Sequence, residues 1–149
     1  MDVLRRNTDY ALRLMVSLAK NYDGEAVSTR VLAEEQEVSY QLACKLMQQL
    51  HAAKLVESLM GPKGGFRLSR RPAEISLSDV IEVFQGPVSL NRCLLNEAAC
   101  PRRSECPVRR KIGVLQDHID EFLGAVTLEE LARSRGAGPG TNAKRLKED

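Results

Sequence analysis

Apolar residues recur at helical spacing along the first third of the chain. Ala11, Leu14, Met15 and Leu18 fall on one face of a helix predicted over residues 7–20, which Asn21-Tyr22-Asp23-Gly24 then breaks. Ser28 suits the N-cap of a short second helix reaching residue 35, with Val31 and Leu32 turned inward. Glu37-Val38-Ser39 makes a turn, and Ser39 caps a third helix running to about residue 54 with Leu42, Leu46, Met47, Leu50 and Ala53 along its stripe. The pattern then shortens. Residues 55–60 read as a strand, Gly61-Pro62-Lys63-Gly64-Gly65 as a turn, and residues 66–68 as a returning strand, with Pro62 and the glycines supplying hairpin geometry. Three short helices followed at once by a hairpin outline a winged helix-turn-helix. The expected fold class is mainly α with a small β-hairpin wing.

Beyond the hairpin, Ser76 with Asp79 three residues on makes a capping-box start for a helix over residues 77–85, ended by Gly86 and Pro87. Pro107 opens a long helix whose apolar positions are Val108, Ile112, Leu115, Ile119, Phe122 and Val126, in steps of 4, 3, 4, 3 and 4. Those steps describe a heptad seam, narrower than the stripe of an ordinary core helix. The helix is therefore expected to pair two copies of the chain, with packing inside one chain as the alternative. Residues 128–133 extend the helical region, and the Gly-rich, charged tail from residue 134 is expected to be disordered. The predicted organisation is a winged helix-turn-helix over 1–71, a connecting helix and cysteine loop over 72–106, a dimerisation helix with its extension over 107–133, and the tail over 134–149.

Composition narrows this picture. Hydrophobic residues make up 43% of the chain, yet there is no Trp and aromatics reach only 4%, so the core must be built from Leu, Val and Ala. No apolar run approaches a membrane span, and the polar N-terminus offers no secretory leader; a cytoplasmic, reducing location is the expectation. Net charge is only +2, with 11 Lys/Arg against 8 Asp/Glu in residues 1–71. Bulk charge thus says little, but Lys63, Arg67, Arg70 and Arg71 cluster at the hairpin.

On a winged helix-turn-helix the third helix reads base edges while the wing and helix ends grip phosphates. Ser39, Tyr40, Gln41 and Lys45 lie at or near the start of the third helix, where Gln41 suits an adenine edge and Lys45 a guanine or a phosphate. Ser28 and Thr29 stand where free helix N–H groups would meet a phosphate. On the wing, Lys63 and Arg67 bring charge, and Gly64 and Gly65 allow close backbone approach. For any one of these side chains simple solvation is the plainer reading; the set points to double-stranded DNA.

Cys93, Cys100 and Cys106 put three of the four cysteines into one short segment. A reducing location argues against a disulfide framework. Thiolates are the ligands an iron–sulfur cluster needs, and Arg102, Arg103, Arg109 and Arg110 favour the deprotonated form. Structural zinc is the runner-up, although it usually wants a close cysteine pair and a fourth Cys or His nearby, which the segment lacks. A thiol-only redox switch stays equally open, as does a small iron–sulfur electron carrier, although carriers usually supply four cysteines. Cys44 falls within the third helix and reads as a small, half-buried thiol. No catalytic constellation stands out, so an enzyme is not expected.

Thr8-Asp9-Tyr10-Ala11-Leu12-Arg13, the wing motif Gly61-Pro62-Lys63-Gly64-Gly65-Phe66-Arg67-Leu68, and Ile75-Ser76-Leu77-Ser78-Asp79-Val80-Ile81 together resemble the Rrf family of bacterial winged-helix repressors. The likeness runs from about residue 5 to residue 126 and includes the position of the cysteine segment. It implies a homodimer on a palindromic operator, with the long helices crossed at the interface. In cluster-binding members, of the IscR, NsrR and RirA kind, three cysteines ligate an iron–sulfur cluster with two or four irons; the matching positions are Cys93, Cys100 and Cys106. Two departures matter. The first gap is one residue longer than in IscR-like and NsrR-like members, and the histidine that IscR-like members carry three residues after the third cysteine is replaced by Arg109. The resemblance to the NsrR-like N-terminus offers Asp9 of the partner subunit as the fourth ligand, the alternative being a helix-start charge. It further implies sensing of nitric oxide, redox state, or iron and cluster supply.

Overall fold

The computed structural model describes residues 3–134 apart from 97 and 99. Helix α1 (Arg6–Lys20) runs through the middle of the molecule, and α2 (Thr29–Glu35) and α3 (Tyr40–Ala52) cross beside it. Ala11, Leu14 and Met15 on α1 are fully buried against Leu32, Leu46, Met47 and Leu50. The serine caps form as the pattern requires: Ser28 Oγ accepts the Val31 N–H and Ser39 Oγ accepts the Leu42 N–H. Val31 departs from expectation. It is 43% exposed rather than turned inward, because a seven-residue helix presents a single face to the core, and Leu32 and Ala33 take it.

The turn between α2 and α3 is a Schellman motif. Glu37 adopts φ 53°, the Val38 N–H reaches the Ala33 carbonyl at 2.9 Å, and Ala33, Val38 and Ala43 form a small apolar cluster beneath it. The end of α3 repeats the device: Lys54 sits at φ 61° and the Leu55 N–H bonds the Leu50 carbonyl at 3.1 Å.

Strands β1 (Val56–Leu59) and β2 (Gly65–Leu68) pair antiparallel with Val56 opposite Leu68 and Glu57 opposite Arg67. A third edge was not foreseen: Val27 and Phe66 exchange backbone hydrogen bonds of 2.9 and 2.8 Å, tying the segment before α2 to the wing. A 3-10 turn (Pro72–Glu74) leads to α4 (Leu77–Gln85), whose capping box of Ser76 and Asp79 is formed in both directions. A short α5 (Arg92–Leu95), also unforeseen, lies inside the cysteine segment, and α6 (Pro107–Ala125) is the long helix.

The end of the chain differs most from expectation. Residues 128–133 do not prolong α6. Val126 breaks it in extended backbone, Thr127 caps a separate α7 (Leu128–Arg133), and that helix packs back against α1 with Leu128 fully buried. Two backbone bonds, Leu77 N–H to the Val126 carbonyl and Leu128 N–H to the Ile75 carbonyl, fasten this junction to the start of α4. All but the first residue of the tail lies outside the described residues.

Candidate functional site

The two halves of the site are built differently. On the helix-turn-helix, Gln41 and Lys45 are exposed one turn apart on α3, so both side chains leave the same face. Tyr40 opens the helix and is 48% exposed. Ser39 is exposed, whereas Ser28 and Thr29 are half-buried at the start of α2, and both serine hydroxyls already cap their own helices.

The wing cations project into solvent but have carboxylate partners. Lys63 Nζ lies 3.0 Å from Glu25 Oε1, and Arg67 bonds Glu57 across the hairpin. Exposed pairs of this kind hold weakly, so a phosphate can exchange for the carboxylate. Gly64 and Gly65 serve the fold as well as any close approach. A Cβ on Gly64 would fall 2.3 Å from the Leu59 carbonyl oxygen, and one on Gly65, at φ 153°, 2.3 Å from that of Val27. The hairpin and its third edge close only because these two positions carry no side chain.

In the cysteine half, Cys93 lies in α5, Cys100 in the following loop, and Cys106 is the N-cap of α6; all three are free and half-buried. The Arg109 N–H meets Cys106 Sγ at 3.4 Å, while Arg109 Nε donates to the Cys93 carbonyl at 3.3 Å. Arg109, at the position where a histidine would ligate, thus holds the two ends of the loop together instead. Among the described residues, no three Cys, His, Asp or Glu side chains are gathered into a metal cage. The donor set has the right chemistry for an iron–sulfur cluster, but within one chain the three thiols do not form such a cage. Asp9 is exposed on the first turn of α1 and pairs with Arg13 at 3.6 Å.

Two glutamines that the sequence reading passed over position this half. Gln85 Oε1 accepts from the Arg5 N–H at 2.9 Å and from Thr8 Oγ1 at 2.8 Å, while its Nε2 donates to the Val3 carbonyl. It locks the segment before Asp9 to the end of α4. Gln116 accepts from the Leu90 N–H and donates to the Val88 carbonyl and Asp120 Oδ1, pinning the approach to Cys93 onto α6. A signal for Gln116 was present: it is a polar residue on the inward side of an apolar stripe, between Ile112 and Ile119.

That stripe divides. Ile119 and Leu123 pack on the chain's own core and Gln116 is buried with them. Val108, Leu115 and Phe122, seven residues apart, are 62%, 49% and 65% exposed. The expected seam therefore supplies two faces, one used inside the chain and one left uncovered. No helix among the described residues is long and apolar enough to cross a membrane.

Comparison with known proteins agrees with this architecture. Residues 4–134 match the Rrf2 family, described as an iron-dependent transcriptional regulator. The transcriptional regulator CymR of Bacillus subtilis is 32% identical over 124 residues, covering 83% of this chain and 84% of that protein. The regulator NsrR of Shouchella clausii is 29% identical over 117 residues, covering 78% and 76%. The solved structure of B. subtilis CymR, a global cysteine regulator, superposes with a TM-score of 0.73 at 30% identity, over 89% of this chain and 97% of that one.

Proposed function

The chain belongs to the Rrf2 family of winged-helix transcriptional regulators, and from that premise we propose that it is a homodimeric repressor of a palindromic operator, governed by an iron–sulfur cluster on Cys93, Cys100 and Cys106. DNA binding itself goes with the family and with the fold. The observation that carries the cluster reading is the cysteine loop: three half-buried thiols, its two ends joined through Arg109 and one thiol at a helix N-terminus. Such a cluster supplies a reactive centre for nitric oxide, oxidants or iron shortage. The protein's part is to present three thiolates and to complete the set with Asp9 of the partner subunit.

The uncovered Val108, Leu115 and Phe122 stripe supports the dimer, since contiguous apolar side chains at heptad spacing on a helix suit a second copy of the same helix. Gln41, Lys45, Ser39 and Tyr40 would read the groove, with Lys63, Arg67, Ser28, Thr29 and the Gly64–Gly65 backbone against phosphates. A second reading is a thiol switch without metal, for which the same three free, half-buried cysteines would serve.

Anaerobic purification with iron, acid-labile sulfide and absorption measurements separates the two. Replacing Cys93, Cys100 or Cys106 by Ser should abolish visible absorption, and Asp9→Ala should leave a cluster that decays faster in oxygen. Cys44→Ala should do neither. Loss of the cluster should weaken operator binding. Protein that carries zinc refutes the cluster in favour of a zinc-containing regulator, and protein with neither metal nor sulfide refutes it in favour of the thiol switch.

A further inference from the structure

Arg30 is the second residue of α2 and is exposed. Its guanidinium carbon stands 4.8 Å from the centroid of the Tyr40 ring, across the turn that joins α2 to α3. Interaction of its hydroxyl with the side chain of Cys44, one turn along α3, raises the pKa of the Tyr40 phenol above its ordinary value. An arginine stacked by one face keeps its in-plane N–H donors available in a flat fork. The stack also removes rotamer freedom that a contact with DNA would otherwise have to remove.

Three other cations of this half differ. Lys63 and Arg67 face Glu25 and Glu57, and Arg13 faces Asp9. Among the described residues Arg30 makes no ion pair, so its charge is not offset by a contacting carboxylate. It projects from the helix that, in a helix-turn-helix, crosses the nucleic-acid backbone, and it leans on the first residue of the helix that enters the groove.

We propose that Arg30, braced on Tyr40, is a phosphate-gripping residue, its fork binding one backbone phosphate at the edge of the groove that α3 occupies. This rests on the DNA-binding reading above and adds to it a contact and a division of labour. Arg30 supplies the charge. Tyr40, grouped above with the groove readers, is here a positioning residue that acts on DNA through Arg30. A bidentate arginine–phosphate contact gives registration without reading sequence.

The test uses the full-length dimer and a duplex of about three helical turns recovered from random-sequence DNA by the wild-type protein, with a scrambled duplex beside it. Anisotropy titrations are run across a salt series. Arg30→Ala should weaken binding to both duplexes by about tenfold, with a salt slope smaller by about one. Tyr40→Leu keeps the charge, so it should weaken binding less and leave the slope alone. The double variant should bind about as well as Arg30→Ala, because removing the brace matters only while the arginine is there. Arg30→Lys should restore the slope but only part of the affinity. Unchanged melting temperatures show that folding is not the cause.

Wild-type affinity and slope in Arg30→Ala overturn the proposal. So does a loss confined to the selected duplex, which would make Arg30 a base reader, or strict additivity with Tyr40→Leu, which would separate the two residues. Failure of the wild-type protein to recover any duplex is a different result, and sinks the DNA-binding reading with it.

Discussion

The helix-turn-helix and wing are held by backbone, whereas the cysteine loop and the N-terminal part of α6 are held by side chains. In the first region the turns close through Schellman bonds at Glu37 and Lys54, and the wing closes through ladder bonds and two positions without a Cβ. In the second, Gln85, Gln116 and Arg109 do the joining, each reaching across to main-chain groups of another element. The first region buries its stripes within one chain; the second leaves Val108, Leu115 and Phe122 in solvent. A DNA-reading surface has to keep its shape before DNA arrives, and the backbone-built half is closed within one chain. The other half is unfinished in one chain, as a region that answers to a partner or a cofactor would be.

The largest effect should come from the uncovered stripe. Phe122→Glu places a carboxylate in the proposed seam, and an unpaired charge buried at an interface costs roughly 3–5 kcal/mol. Even about 3 kcal/mol lowers dimer affinity by more than a hundredfold. Sedimentation should show monomers that fold normally, and operator affinity should fall with dimerisation. Ile119→Glu makes the contrasting variant: it strikes a residue packed on the chain's own core, so it should lower the melting temperature of the monomer as well. A Phe122→Glu protein that stays dimeric would erase the distinction between the two halves.

A smaller effect is expected at Gln116. Replacement by Leu keeps the bulk but leaves the Leu90 N–H and the Val88 carbonyl without their partner. An unsatisfied buried group costs about 1–3 kcal/mol. Hydrogen exchange should accelerate at Leu90, and Cys93 should react faster with a disulfide reagent, while the helix-turn-helix amides stay protected. Acceleration spread evenly over both halves would mean that they are not separately held.

The smallest change has the opposite sign. Lys54 pays a conformational cost at φ 61° that glycine would not, so Lys54→Gly should stabilise the protein by about 0.5–1 kcal/mol. Operator affinity should stay as it was. A loss of stability would show that the Lys54 side chain contributes more than its backbone strain removes.

The same division explains what could be foreseen. Helices α1 to α4 and the hairpin were legible because their signals are local: a 3.6-residue stripe, a serine three residues before a free N–H, a Gly-Pro turn. Val27 joining the wing, α7 returning to α1, and the splitting of the α6 stripe depend on which distant surface each segment meets. Val108 and Ile112 look alike in the sequence; only the fold decides which shoulder of the helix the chain covers for itself. The cysteines were conspicuous by type. Their setting was not legible, because α5 and the bridging role of Arg109 arise from contacts across the loop. Gln85 was passed over for a similar reason: its three bonds reach back more than seventy residues.

The junction that fastens Val126 and Leu128 to Leu77 and Ile75 has a mechanical meaning. It makes α6 a lever whose fulcrum lies at its C-terminal end, beside the helix that receives the DNA-reading half, and whose free end is Cys106. A helix of 19 residues is about 28 Å long. A shift of about 2 Å at Cys106 would therefore turn the lever by only about 4°, an angle that side chains at the fulcrum can absorb without breaking either backbone bond. The bar carries the uncovered stripe along its length, so a small displacement of the cysteine loop becomes a change in the angle at which two such bars can cross.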